Sequence, residues 1–164
     1  MVSMKIVTDK LRELHFQKKY NFWFLSLDQV ILKVHFQKSR FGDEIHINIG
    51  IVFFDDDRGG AIGKRFDKSN LRGRIASFLR SASIPFDWDM LCFDDDDKID
   101  YVVSLMQEHI IPLANQLNNP TFAEHFIRNC DPNVFFLYAT IDEVVQWLSG
   151  FKSKTQQGDE GEKQ

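Results

Sequence analysis

Between residues 30 and 54 almost every second position is apolar. Val30, Leu32, Val34 and Phe36 alternate with Ile31, Lys33, His35 and Gln37. After a short break, Ile45, Ile47, Ile49, Ile51 and Phe53 alternate with His46, Asn48, Gly50, Val52 and Phe54. A period of two marks strands with one face in a core. Gly42-Asp43 falls in the break, so the two runs read as neighbouring antiparallel strands. The aromatic run YNFWFLSL precedes them and reads as a third strand, joined through a turn at Asp28. Placing the second turn near Phe41–Gly42 sets Phe36 opposite Ile47, His35 beside Asn48 and Gln37 beside His46. Placing the first near Leu27 sets Phe22 and Phe24 opposite Leu32 and Val30, which gathers the apolar side chains of all three strands on one face.

Elsewhere the period is helical. Ile6, Val7, Leu11 and Leu14 predict a helix over 4–14. Leu71, Ile75, Phe78 and Leu79 predict another behind Asn70 as its N-cap. A long helix is predicted over 98–118 from Ile99, Val102, Val103, Met106, Ile110, Leu113 and Leu117. Pro112 should kink or interrupt it, and Asn118-Asn119-Pro120 should end it. A short helix carries Phe122, Phe126 and Ile127 inward, and a last one begins at Thr140. Ile84, Phe86, Trp88, Met90 and Cys92 alternate with other residues and suggest a fourth strand. Residues 152–164 hold no apolar side chain and are expected to be a disordered tail. The prediction is one α+β domain over residues 1–151: a three- to four-stranded antiparallel meander packed on one face by four to five helices. With 16 phenylalanines, its core should be bulky.

Charge sharpens the picture locally. Residues 58–80 carry Arg58, Lys64, Arg65, Lys68, Arg72, Arg74 and Arg80 against Asp67 alone. Residues 87–100 carry Asp87, Asp89, Asp94, Asp95, Asp96, Asp97 and Asp100 against Lys98 alone. Such blocks form solvated loops and helix ends, and they can steer a charged partner. Acids before the long helix also favour its dipole. The chain is acidic overall, with a pI near 5.7, and its basic block holds no groove-entering motif, so no nucleic-acid partner is expected. There is no run of apolar residues long enough for a membrane span, and MVSMKIVTDKLREL has no apolar signal region. Cys92 and Cys130 lie far apart and read as free thiols of a cytoplasmic protein.

Motifs for chemistry are weak. GGAIGKR fails as a phosphate loop, because Arg58 stands where glycine is needed and Arg65 where Ser or Thr is needed. DDDRGGAIGKRF fails as a calcium loop, with Phe66 at the position of the bidentate acid. His35 and His46 share a sheet face but lack a third metal ligand, so neither metal nor cofactor is expected. Two surfaces remain. One is an acidic patch of Asp87, Asp89, Asp94, Asp95, Asp96 and Asp97, suited to a protein partner. The other is the polar sheet face of His35, Gln37, His46 and Asn48, suited to a small ligand or to an enzyme with a histidine base. If a later element covers that face, the amides of Gln37 and Asn48 must hydrogen-bond to it and would fix how it packs. Gly50 would let it approach closely.

The segments Phe36-Gln37-Lys38-Ser39 and Ile47-Asn48-Ile49-Gly50, followed by Arg72-Gly73-Arg74-Ile75 and Asp87-Trp88, resemble the bacterial family known as domain of unknown function 4304 (DUF4304). The resemblance covers roughly residues 5–117. It implies a small cytoplasmic protein. Related small α+β domains occur as immunity proteins beside bacterial toxins, so the resemblance implies a non-enzymatic protein that neutralises a cognate toxin by binding it. Such a protein needs a surface complementary to its partner and no catalytic residues.

Overall fold

The computed structural model describes residues 4–42, 44–53, 66, 69–91, 96–131 and 135–137. Its elements run α1 (Met4–Glu13), β1 (Gln17–Lys19), β2 (Phe22–Leu27), β3 (Val30–Lys38), β4 (Ile45–Phe53), β5 (Leu71–Arg74), α2 (Ile75–Ser81), α3 (Asp96–Leu105), α4 (Ile111–Gln116), α5 (Pro120–Asn129) and β6 (Phe135–Leu137). A 3-10 turn spans Trp88–Leu91, and a π-helical turn, Met106–Ile110, joins α3 to α4. The six strands form one antiparallel sheet in chain order. This is the expected α+β architecture, with more strands than the expected three or four.

One face of the sheet carries the helices. Leu32, Val34, Ile47, Ile49, Ile51 and Leu71 bury against Val7 and Leu11 of α1, Phe78 and Leu79 of α2, Ile99 and Val102 of α3, Leu113 of α4 and Ile127 of α5. Phe78, Phe126 and Phe135 meet in edge-on and stacked pairs at 4.9–6.3 Å between ring centres. Lys10 of α1 pairs with Asp100 of α3, whose carboxylate raises the lysine's pKa. No described helix is long and apolar enough to cross a membrane.

Pro112 acts through hydrogen bonding. Having no N–H, it cannot bond to the carbonyl four residues back, and its ring crowds that carbonyl. The chain responds by widening one turn: the N–H of Ile111 reaches back to Met106 O. The helix therefore continues through the proline instead of breaking. Asn119 then caps α5, accepting from the N–H groups of Thr121 and Phe122.

Four expectations are corrected. The β2–β3 turn is the two-residue pair Asp28–Gln29, with Asp28 at φ 56°, so Leu27 pairs with Val30, Leu25 with Leu32 and Trp23 with Val34. This shift sends Phe22 and Phe24 to the opposite face, where they cluster with Phe66 and Ile31. Residues 71–74 form a strand, not the start of a helix. Asn70 does not cap α2; its Oδ1 accepts from Phe53 N at 2.9 Å, on β4. The expected fourth strand over 84–92 is replaced by the 3-10 turn, because the Asp87 carboxylate accepts from Asp89 N and bends the chain there. The sheet gains β1, β5 and β6 instead. The last helix from Thr140 and the tail at 152–164 lie outside the described residues, as do Cys92, Asp94 and Asp95.

The face away from the helices is not simply wet. Lys33 is 1% exposed, with its ammonium 4.7 Å from the Phe22 ring centre. Ser69 and Phe66 press onto Gly50: a Cβ there would lie 2.5 Å from Ser69 Oγ and 3.0 Å from Phe66 Cε2. Ser69 Oγ is itself held, donating to Phe66 O at 2.6 Å. Gly50→Ala should therefore destabilise the fold by about 1–3 kcal/mol, since Ser69 Oγ cannot yield without giving up its bond to Phe66 O. Adding Ser69→Gly should recover part of the loss. Urea melts of the two single variants and the double check this; additive losses would contradict it.

Candidate functional site

The site grows out of the strand register. Pairing of β3 with β4 and of β4 with β5 sets His35, Asn48 and Arg74 in one row across three strands, on the face away from the helices. Gln37 and His46 form the next row, as the sequence predicted. Arg74 Nη1 donates to Asn48 Oδ1 at 2.9 Å. A guanidinium can only donate, so that atom of Asn48 is its oxygen and the other is its NH2. Asn48 Nδ2 then donates to Gln37 Oε1 at 3.1 Å and meets His35 Nδ1 at 3.3 Å. His35 Nδ1 must accept, which puts the ring's proton on Nε2 and leaves the imidazole neutral. Every polar atom of the Asn48 side chain is thus committed, and its orientation is fixed from three sides.

Electrostatics agrees with this hydrogen bonding. Burial, and secondly the charge of Arg74, push His35 below its ordinary pKa of 6.5. Its ring also lies against Phe66, 5.2 Å between centres. Burial likewise draws the pKa of Arg74 down. The hydrogen bond of Arg74 goes to a neutral amide, which positions the guanidinium without cancelling its charge.

Arg74 leads into a cleft. Pairing of β4 with β5 starts at Asn48, so among the described residues Ile47 and those before it have no strand partner on the β5 side, and the chain turns at once into α2. The opening has a volume of about 600 Å³. It is lined by Glu44, His46 and Ile47 on one side, by Arg74, Ile75 and Ala76 at the bend, and by Trp88, Asp89, Leu91 and Lys98 opposite. The far wall is fixed: Asp87 N–H donates to Tyr101 Oη of α3 at 2.8 Å, and Asp89 N–H to Asp87 Oδ1 at 3.1 Å. Trp88 stays 55% exposed, with the Arg80 guanidinium 5.1 Å above its ring centre and Phe86 at 6.1 Å.

The two surfaces expected from the sequence therefore meet. Asp89 of the acidic patch and His46 of the polar face line the same cleft. His35, Gln37 and Asn48 sit behind it as the support of Arg74. Asp87, Asp89, Asp96 and Asp97 are exposed, and the last two begin α3. Arg74 and Trp88 were not singled out as site residues from sequence. The alternation Leu71-Arg72-Gly73-Arg74, apolar or small against basic, was the signal that could have placed Arg74 on a strand. A smaller hollow of about 320 Å³ counts His125 in its lining, and also Cys130. Its thiol donates to Ile127 O at 3.1 Å and burial raises its pKa, so it is held protonated.

A family model described as Domain of unknown function (DUF4304) matches residues 7–116, and the chain belongs to that family. The match runs from α1 to the end of α4 and includes every residue of the His35–Asn48–Arg74 row and of the cleft. No curated protein and no solved structure matches the chain.

Because the folded pKa of His35 lies below its unfolded value, the unfolded chain takes up the proton first on acidification. The stability tied to His35 is complete above pH 6.5 and is lost as pH falls from 6.5 toward the depressed folded pKa. His35→Gln keeps an acceptor for Asn48 but does not titrate, so it should flatten this part of the stability curve. Urea melts at a series of pH values check it; an unchanged acid slope in the variant would remove His35 as the source.

Proposed function

We propose that the chain is a binding protein acting without a catalytic step, and that it neutralises a cognate toxin by docking on it through the lip of the cleft. Trp88 carries this reading. It is a large aromatic left 55% exposed yet braced by Arg80 and Phe86, with the exposed carboxylates of Asp87 and Asp89 beside it. Tryptophan is among the residues enriched at interface hot spots, and one already held in place loses little freedom on docking. Asp96 and Asp97 extend the acidic rim along the start of α3, which suits a basic partner such as the cleft of a nuclease. Phe41, 98% exposed at the tip of the β3–β4 connection, is a second uncovered aromatic. The immunity role rests on the family resemblance, and the surface chemistry is compatible with it.

The test is binding to, and protection of cells from, the toxin encoded beside this chain's gene. Trp88→Ala should speed dissociation and weaken affinity by about 2 kcal/mol or more, as expected of an interface anchor. Asp89→Asn, Asp96→Asn and Asp97→Asn together should slow association and flatten its salt dependence, while dissociation changes little. Association rates over a salt series separate the two effects. Unchanged rates in both variants would remove this surface from the function, and an adjacent gene product that neither binds nor harms cells would remove the immunity reading.

A further inference from the structure

We propose that the cleft between β4, α2 and the Trp88–Leu91 turn is a binding site for an organic monocarboxylate with a compact apolar body, and that Arg74 holds the carboxylate. This goes beyond the docking of a protein on the cleft's lip.

The position of Arg74 carries the inference. An arginine that ends on a carboxylate has its charge neutralised there. Arg74 ends on Asn48 Oδ1, a neutral acceptor, and Asn48 is locked by Gln37 and His35. The relay spends three side chains on aiming one guanidinium that keeps its full charge. Nη1 is the atom engaged on Asn48, which among the described residues leaves the rest of the planar donor fork uncommitted. Such a fork matches the two oxygens of a carboxylate. The partial burial that draws down the pKa of Arg74 is a desolvation cost that an arriving anion would relieve.

The rest of the lining selects the ligand's class. Glu44 and Asp89 stand in the same cleft as Arg74 and Lys98. Two acids against two bases leave the lining near neutral, so a phosphate dianion gains little over the single negative charge that the Arg74 fork fits. Ile47, Ile75, Ala76 and Leu91 offer an apolar surface for the ligand's body, and Trp88 closes one side. A volume of about 600 Å³ lies inside the roughly 300–1,000 Å³ of small-molecule sites.

Calorimetry with the full chain tests this using 3-phenylpropionate, benzoate and hexanoate, each beside its uncharged amide, and inorganic phosphate. The expected result is that at least one carboxylate binds, its amide binds at least about ten-fold more weakly, and phosphate binds less than the carboxylate. Arg74→Lys keeps the charge but not the fork and should weaken carboxylate binding about ten-fold. Asn48→Leu should weaken it too, while leaving the residual preference for carboxylate over amide. The comparison of acid with amide uses the unaltered protein, so it stands even if a variant fails to fold. Equal affinity for acid and amide, phosphate as the tightest ligand, unchanged binding in Arg74→Lys, or no binding by any of the three acids would each overturn the proposal.

Discussion

The ladder between β3 and β4 is the constraint on which the rest of the structure depends. It runs unbroken from Val30 opposite Phe53 to Lys38 opposite Ile45. Because side chains alternate, this one register decides both faces together. On one side it lines up Leu32 with Ile51 and Val34 with Ile49 as the floor on which the helices pack. On the other it lines up His35 with Asn48 and Lys33 with Gly50. A slip by one residue would bury the amides and expose the isoleucines, so the hydrophobic core itself enforces the polar row. The site is rigid because it is the back of the core.

Gly50 and Asn48 translate that register into a surface. The missing side chain at Gly50 lets Ser69 and Phe66 lie on the sheet, and Phe66 then covers one flank of His35. With His35 half-buried and neutral, its Nδ1 becomes an acceptor that Asn48 can use. Asn48 passes this order to Arg74, which stands where β5 ends and the cleft begins. The order runs from core, to polar row, to one charged group at an opening. That is a sound design for recognition, since a charge held in place loses little freedom when a partner arrives.

Much of this was legible in the sequence, and what was not has physical causes. The β3–β4 pairing was readable because Leu32 to Gln37 and His46 to Ile51 alternate, and a one-residue error would have exposed the core. The row of His35 with Asn48 and Gln37 with His46 followed from it. β2 was misread because Phe22, Trp23, Phe24 and Leu25 are apolar on both faces and carry no alternation; the turn at Asp28–Gln29 decides there, and a left-handed aspartate is not visible in a hydropathy pattern. β5 resembles the first turn of a helix in sequence because Leu71 and Ile75 fit a helical stripe as well as a strand's inner face. The cleft could not be seen at all. It exists because β5 is short and because the Trp88 turn folds back toward β4, and both are tertiary facts. Arg74 was therefore counted only as one charge in a basic block.

The central claim is that Asn48, oriented by Arg74, donates to a neutral His35. The most direct test is the protonation pattern of the His35 ring, read by long-range proton–nitrogen correlation NMR on ring-labelled protein above pH 7. The account predicts a neutral imidazole with its proton on Nε2 and a bare Nδ1. A proton on Nδ1, or an imidazolium at that pH, would mean that the amide faces the other way and that Arg74 is not held as described.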